Sequence, residues 1–536
     1  MKKSIYLFSI CAIGLMITIS ATGALQTTQL ETQSLDKQSE YLQKAEEIPI
    51  KLDLKTQTKN IQTLTVGTDS QITQNTEDDQ NPSVFLSADN IFMGFEIETD
   101  SDFDLGLFSS DIGGTTWTDN GGYILEGSPT QPRFDLAEGN SAHATILSDQ
   151  WAENGMAYHI ELPDINEPGD WIVYTTDWGS QEYGPFTSCD IASYTGELKP
   201  TEEFWGILTI TGDSGWGYYN DWMVQWTDAD SSWITRIGST TTDYFNASCD
   251  IDPSNGDIIV AAEYVANNDA SNNGIRVQVG TLTTGDNWQN GIRLIKQYKK
   301  CSHPYAEAEN GKVYIIAEIE ADDGSKDIVC YSSNDPLTSG SWEKHMITET
   351  PGTNEMYPSV VVYGDGATCS FIQNGDLYTT STVDAGATWS TPEKVNDETG
   401  TVVEQYGSAD ITTSGHILWT DNRNGNNDIY YDNVGMPSVA IVDIGEISGG
   451  IGISADIENS GTAAANNVQW SIDVEGGLIL AGKHAEGTIS TLAAEDSETV
   501  KIPFVLGLGA MTITVAADGK TKDGSGTVLL IFTTID

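Results

Sequence analysis

Six tryptophans punctuate the middle of this 536-residue chain at near-regular intervals: Trp117, Trp178, Trp233, Trp288, Trp342 and Trp389. Successive members lie 47–61 residues apart, close to the span of one four-stranded sheet with its turns. A repeat of that period constrains the fold strongly, because no single unit can bury a sheet's faces alone and each must stack on its neighbours. The clearest copies alternate like strands. One runs Val313-Tyr314-Ile315-Ile316-Ala317-Glu318, then Asp327-Ile328-Val329-Cys330-Tyr331, and ends at Trp342. The next has Ser359-Val360-Val361-Val362, Ala367-Thr368-Cys369-Ser370-Phe371-Ile372 and Asp376-Leu377-Tyr378 before Trp389.

That sixth copy closes with Thr382-Val383-Asp384-Ala385-Gly386-Ala387-Thr388-Trp389. Asp384 is expected to accept hydrogen bonds from backbone N–H groups two or three residues on, closing a tight turn that Thr388 flanks. Gly386 permits positive φ at the reversal, and Trp389 covers the hairpin with a large apolar face. The first copy has a variant, Ser109 to Trp117 around Asp111, with one extra residue. The pattern S/T-x-D-x-G-x-T-W resembles the Asp-box of sialidase-like β-propellers. The resemblance implies an all-β chain built as a seven-bladed β-propeller, with six blades the alternative. It also implies that the box is structural, since in that family it sits on the blade periphery.

A seventh copy has Gly415-His416-Ile417-Leu418-Trp419-Thr420-Asp421 and Asp428-Ile429-Tyr430-Tyr431 and then stops. Its missing fourth strand is expected from the N-terminal side, within residues 48–66, which would remove an exposed edge. The string from Trp419 to Tyr430 reads as a hairpin with a polar, Gly-containing tip. Residues 437–536 change character: Gly- and Ala-rich, free of cysteine and strongly alternating, they suit an immunoglobulin-like β-sandwich. The run Ile453-Ser454-Ala455-Asp456-Ile457-Glu458-Asn459-Ser460-Gly461 resembles CARDB-type domains of surface proteins. The domain reading is residues 1–24 as signal peptide, 25–80 as polar linker with the closing strand, 81–435 as propeller and 436–536 as sandwich.

Charge and leader restrict the setting. Against 24 basic residues stand 79 acidic ones, a formal net charge of −55, so nucleic acid and anionic membranes are excluded as partners. Lys2 and Lys3, the apolar run Ile5 to Ser20 and the small residues Thr22-Gly23-Ala24 have the three parts of a secretory signal. No second run is long enough to span a membrane, so the mature chain is expected to be secreted or held at the cell surface. Five cysteines follow the leader, at 189, 249, 301, 330 and 369; one or two disulfides are expected, and their spacing fits no zinc pattern.

For chemistry, the family resemblance implies a test case. Sialidases hold a substrate carboxylate with three arginines and use a Tyr–Glu nucleophile and an Asp acid/base. Only Arg133, Arg236, Arg276, Arg293 and Arg423 are present, and the Arg-Ile-Pro motif is missing, with Gln131-Pro132-Arg133-Phe134 in its region. No catalytic residue is assigned. Aligning the repeats puts Glu96, Glu263, Glu318 and Gln373 at the end of each second strand, with Asp421 one residue beyond. Carboxylates on such a rim would hydrogen-bond sugar hydroxyls or ligate Ca²⁺, or simply solvate an acidic surface. No cofactor is required and no metal-ligand set is defined. Asp250 to Asp257 reads as a turn rather than a calcium loop, because Gly256 falls one place late and no Glu follows. Trp216, Tyr218, Tyr219, Trp222 and Trp226 are core packing or a sugar-stacking loop, and Asn246-Ala247-Ser248 is a glycosylation sequon. The function expected is an exported β-propeller that binds a glycan or a surface protein without catalysis. A sialidase-like glycoside hydrolase and a structural envelope component are the alternatives.

Overall fold

Short runs of β-branched and aromatic residues, broken every six to ten positions by Gly, Asn and Asp, fold throughout as antiparallel strands, and no helix occurs among the described residues. The computed structural model describes residues 46–47, 61–63, 68–87, 90–98, 103–124, 130–136, 141–148, 156–162, 172–175, 186–194, 204–212, 220–228, 233–239, 241–266, 269, 273–282, 292–297, 300–338, 340–364, 366–436, 440, 442–461, 463–494 and 496–535. The leader therefore lies outside the described residues, as do Trp178, Trp216, Tyr218, Tyr219 and Trp288. Among the described residues no helix is long and apolar enough to cross a membrane.

Seven consecutive meanders follow one another, here named sheets I to VII. Sheet I has Asp78–Leu86, Asn90–Glu98, Phe103–Asp111 and Thr116–Ile124; sheet II has Thr130–Leu136, Ala142–Ser148, Met156–Leu162 and Ile172–Thr175. Sheet III has Phe186–Ser193, Phe204–Gly212, Asp221–Asp228 and Trp233–Arg236; sheet IV has Thr242–Ile251, Asp257–Ala266, Asn273–Thr281 and Ile292–Gln297. Sheet V has Cys301–Glu309, Lys312–Glu320, Lys326–Ser333 and Glu343–Met346. Sheet VI has Glu355–Tyr363, Gly366–Gln373, Asp376–Thr382 and Glu393–Lys394. Sheet VII has only Ala409–Ile411, His416–Asp421 and Asp428–Asn433 from its own repeat, and its fourth strand is Ser70–Gln71.

The closing strand thus lies beyond the 48–66 window. Of that window, Ile61–Thr63 pairs instead with Thr116–Ile124 as a fifth strand of sheet I. Ser70–Gln71 wins the closing place because Arg423 of sheet VII pairs with Asp69, at 2.7 Å, and Ile72 N–H donates to Ile429 C=O at 2.8 Å.

The chain forms two compact units. One comprises 1–64, Thr73–Pro304 and Asn426–Asp428; the other comprises 65–72, Tyr305–Gly425 and Ile429–Asp536. Within the first, neighbouring sheets share cores: Phe92, Leu105 and Ile160 join I to II, and Trp222, Tyr244 and Val260 join III to IV. In the second, Tyr314, Cys330 and Phe371 join V to VI, and Ile372, Leu377 and Trp419 join VI to VII. The first strands of adjacent sheets are stitched directly. Phe134 N–H donates to Ser83 Oγ at 3.0 Å, Ser193 N–H to Asp135 at 2.6 Å, and Cys249 N–H to Asp190 at 3.0 Å. In the second unit the Ser359 hydroxyl donates to Asp410 at 3.1 Å.

Beyond residue 440 the second unit carries two further sheets. Val442–Ser448, Ile453–Asn459 and Asp496–Ile502 form one; the other orders Gly450–Ile451, Phe532–Ile535, Lys520–Leu530, Leu506–Ala517, Ala465–Glu475 and His484–Leu492, with Leu478–Ala481 also on Leu506–Ala517. Their inward faces share one apolar core that includes Ile457, Ile472, Val500 and Ile513.

Candidate functional site

The first strand of several sheets contains a repeated irregularity. Register slips between Gln80 and Ser83, between Phe245 and Ser248, and between Met356 and Ser359. Inside each slip one residue turns left-handed: Asn81 (φ 53°), Asn246 (φ 48°) and Tyr357 (φ 55°); His303, in the first strand of sheet V, does the same (φ 49°). A left-handed Tyr or His is costly and persists only where its surroundings hold it. Each is followed by Pro or Ala: Pro82, Ala247, Pro304 and Pro358. The motif Asn81-Pro82-Ser83, Asn246-Ala247-Ser248, Tyr357-Pro358-Ser359 is visible in the sequence once the first strands are aligned, and it is a signal the tryptophan period does not reveal. What reads as a glycosylation sequon is one copy of it. The Asn246 amide is half-buried and donates to Glu263 at 3.1 Å, so it is not presented for modification.

Four of the five rim residues fall beside these irregularities, Asp421 lies in the sheet VII hairpin, and all but the half-buried Gln373 are buried. Glu96 is buried and accepts from Gln80 Nε2 at 3.2 Å. Glu263 is buried against Asn246. Buried Glu318 accepts from Lys326 Nζ at 2.7 Å and from the N–H of left-handed Tyr357 at 2.8 Å, tying sheet V to VI. Gln373 donates weakly to Glu355, at 3.4 Å. Asp421 is fully buried in the sheet VII hairpin, where Arg423 N, Nε and Nη2 donate at 2.9, 2.8 and 2.6 Å, Thr401 Oγ1 at 2.8 Å and Trp419 Nε1 at 3.1 Å. Burial pushes its carboxyl up, and the Arg423, Thr401 and Trp419 bonds outweigh that and hold it below the usual range. Each residue fixes a backbone irregularity or a turn.

Sheets V and VI bring a set of chemical groups together. Lys326 sits 5.7 Å from the centre of the half-buried Tyr357 ring, with its ammonium on Glu318 and its side chain 28% exposed. Burial raises the Tyr357 hydroxyl above its ordinary value, with Lys326 opposing and Glu318 and Glu404 assisting. One strand away lie the carboxyls of Asp327 and Glu355, both buried, with the Asp327 charge acting on Glu355. Glu355 Oε1 accepts from Gln373 at 3.4 Å, and its Oε2 has no hydrogen-bond partner among the described residues. Desolvation pushes Glu355 up to about 7, with the Asp327 charge adding to it. Asp327 is raised by burial and then by Glu349 and Asp323. A partly open aromatic ring, a cation and an amide beside it are the means by which proteins hold polyols.

The remaining expectations resolve individually. Arg236 pairs with buried Asp221, Arg276 donates to Tyr244 Oη at 2.6 Å, and Arg423 lies between Asp421 and Asp69. These three arginines are each engaged in a separate sheet, so they form no shared carboxylate clamp. Both box-like turns close as a pair: Thr115 N–H donates to Asp111 at 3.0 Å and Thr388 N–H to Asp384 at 2.8 Å. The bonded amide lies four residues on, not two or three, so the turn is two residues wider than an Asx-turn. Trp117 Nε1 and Trp389 Nε1 then donate to Gly114 and Gly386 carbonyls, at 3.2 and 3.1 Å. Gly386 is left-handed (φ 85°).

Asp252 Oδ1 caps the 252–256 turn through Ser254 N–H at 2.8 Å, as a hairpin reversal. Trp222 and Trp226 are core. The expected disulfides do not form: all five cysteines are free and buried, spread over sheets III to VI. Among the described residues no group of three or more His, Cys, Asp or Glu is placed to hold a metal. Sequence reasoning also missed the buried imidazole pair His143–His159, whose Nδ1 and Nε2 lie 3.0 Å apart.

No protein-family model matches the sequence, and no curated protein matches it. Among solved structures the chain is similar to a Penicillium chrysogenum α-L-arabinanase complexed with arabinobiose (14% identity, 57% of this chain and 93% of that one, TM-score 0.41). It is also similar to a point mutant of a Fusarium graminearum α-L-arabinofuranosidase in complex with an iminosugar inhibitor (13%, 56% and 91%, 0.40). A third similar structure is the polysaccharide lyase Uly1 (11%, 66% and 90%, 0.41). With every score below 0.5, the functional assignment rests on this chain's own residues.

Proposed function

We propose that sheets I to VII are the blades of a seven-bladed β-propeller, exported by the 1–24 leader, which binds a glycan through the sheet V–VI cluster. The two further sheets would be an immunoglobulin-like spacer or attachment module. The observation that carries the reading is the left-handed Tyr357, held by Glu318 with Lys326 over its ring. Strain of that kind is retained where it aims a side chain. Ser70–Gln71 supplies the fourth strand that the seventh repeat lacks, which supports counting sheet VII as a blade.

Binding is favoured over hydrolysis by one feature. The Tyr357 hydroxyl is raised rather than lowered, which is the wrong direction for a nucleophile. Binding is proposed without a cofactor, because the Glu318 oxygens already accept from Lys326 and Tyr357. A glycan array, run with and without EDTA and alongside hydrolysis assays on sialosides and arabinosides, tests this. Binding lost in both Tyr357→Ala and Lys326→Ala, unchanged by EDTA, is the expected result. Turnover of any glycoside, or binding indifferent to both substitutions, would sink it.

A further inference from the structure

Nine of the twelve large apolar side chains that stand exposed among the described residues lie between Ile451 and Phe532. They are not scattered. Strand register sets Leu478 opposite Leu508, Leu508 opposite Leu529, Leu529 opposite Phe532 and Phe532 opposite Ile451. These five residues are each more than half exposed and form one row across five strands, on the face turned away from the core. At about 4.8 Å per strand the row is about 19 Å long. Ile479, Val505 and Val528, which alternate with it, are buried, so the row does not arise from a slipped register. Leu480, Phe504 and Leu530 extend the patch, and Leu530 is left-handed (φ 58°), an outlier for an apolar residue.

The surrounding chain is as unusual as the row. Residues 447–455, 476–482, 502–517 and 524–535 contain no ionisable side chain, in a protein whose formal charge is −55. All four segments meet at this end of the sheet. A contiguous apolar patch on a soluble surface marks an interaction site.

We propose that the Leu478–Leu508–Leu529–Phe532–Ile451 row is a self-association face through which two copies of this chain meet about a twofold axis. A flat, outward apolar sheet face is complementary to itself in the aligned packing of sheet on sheet. Contact at the uncharged end avoids opposing like charges in a chain of formal charge −55. The row has no Trp, Lys or Arg, the residues that anchor a protein to a bilayer interface, so lipid is the poorer occupant.

Sedimentation velocity across micromolar concentrations, on the full chain and on the chain lacking residues 1–24, tests the proposal. A dimer is expected in both, strengthened by added salt as repulsion is screened. In Leu508→Lys/Leu529→Lys the dissociation constant should rise at least about tenfold. Val383→Lys, at an exposed apolar position outside the module, should change nothing. An unchanged melting temperature and circular dichroism spectrum show that the double variant is folded, since both positions face outward. A monomer at every concentration overturns the proposal, as does a dimer indifferent to the double variant or one lost with residues 1–24. Monomer binding to neutral phosphatidylcholine vesicles would assign the face to lipid instead.

Discussion

The seven repeat sheets and the pair of sheets that follow them use the same strands to opposite ends. In sheet V the strand Lys312–Glu320 is buried at every position but its first and last, and Asp257–Ala266 of sheet IV is nearly the same. In the C-terminal pair, Leu506–Ala517 alternates buried and exposed along most of its length. The first pattern belongs to sheets packed on both faces, the second to a sheet with one face in solvent. Polar groups follow suit. Buried carboxylates occur in the repeat, where bulges and hairpins leave backbone N–H groups for Glu318 and Asp421 to satisfy. The C-terminal pair buries no carboxylate among the described residues, only Asn459 and Thr533 as polar side chains, and places its anomaly, an apolar row, outside. Two-sided burial forces a chain to solve polar problems internally; one-sided burial lets it move them to the surface.

This contrast can be broken most directly by truncation. Phe371→Ala, which empties the shared core of sheets V and VI, should cost about 3–5 kcal/mol in denaturant unfolding. Leu529→Ser, on the outward face, should stay within about 0.5 kcal/mol. Equal costs would abolish the distinction. Next in size is Asp421→Ala, which leaves the nearly buried Arg423 with Asp69 alone and should destabilise by about 3 kcal/mol. The Asp421 carboxyl is depressed in the folded chain, so its contribution is present above the unfolded carboxylate range and is lost as pH falls through the folded value.

Glu355 runs the other way. Its folded value of about 7 exceeds the ordinary 4.5, so the stability linked to its proton is complete below about 4.5 and is lost as pH rises through about 7. Melting temperature should fall over that window, and Glu355→Gln should flatten the fall; an unaltered slope would mean that the proton is held elsewhere. In the C-terminal pair the corresponding experiment has little to act on, because His484, raised by Asp473, is fully exposed. The smallest effect expected is that of Asp384→Ala, about 1 kcal/mol from turn hydrogen bonds at an exposed site, measured by the same unfolding curves.

Strand order within each sheet, the incomplete seventh repeat, the hairpin around Arg423 and the change of character near residue 437 were all legible in the sequence, because each is a local matter of alternation and turn residues. Trp117 and Trp389 located third-to-fourth strand turns for the same reason: each closes a turn of a few residues. Carboxylate positions were also legible, but their state was not. Whether Glu318 faces water or the Tyr357 amide depends on a strand 39 residues away. The same holds for the raised Glu355 carboxyl, for the thiols that stay apart and for the choice of Ser70–Gln71 over an earlier strand. Periodicity is written residue by residue along the chain. Desolvation, pairing and exposure are properties of what lies across a gap, and only the folded arrangement sets those distances.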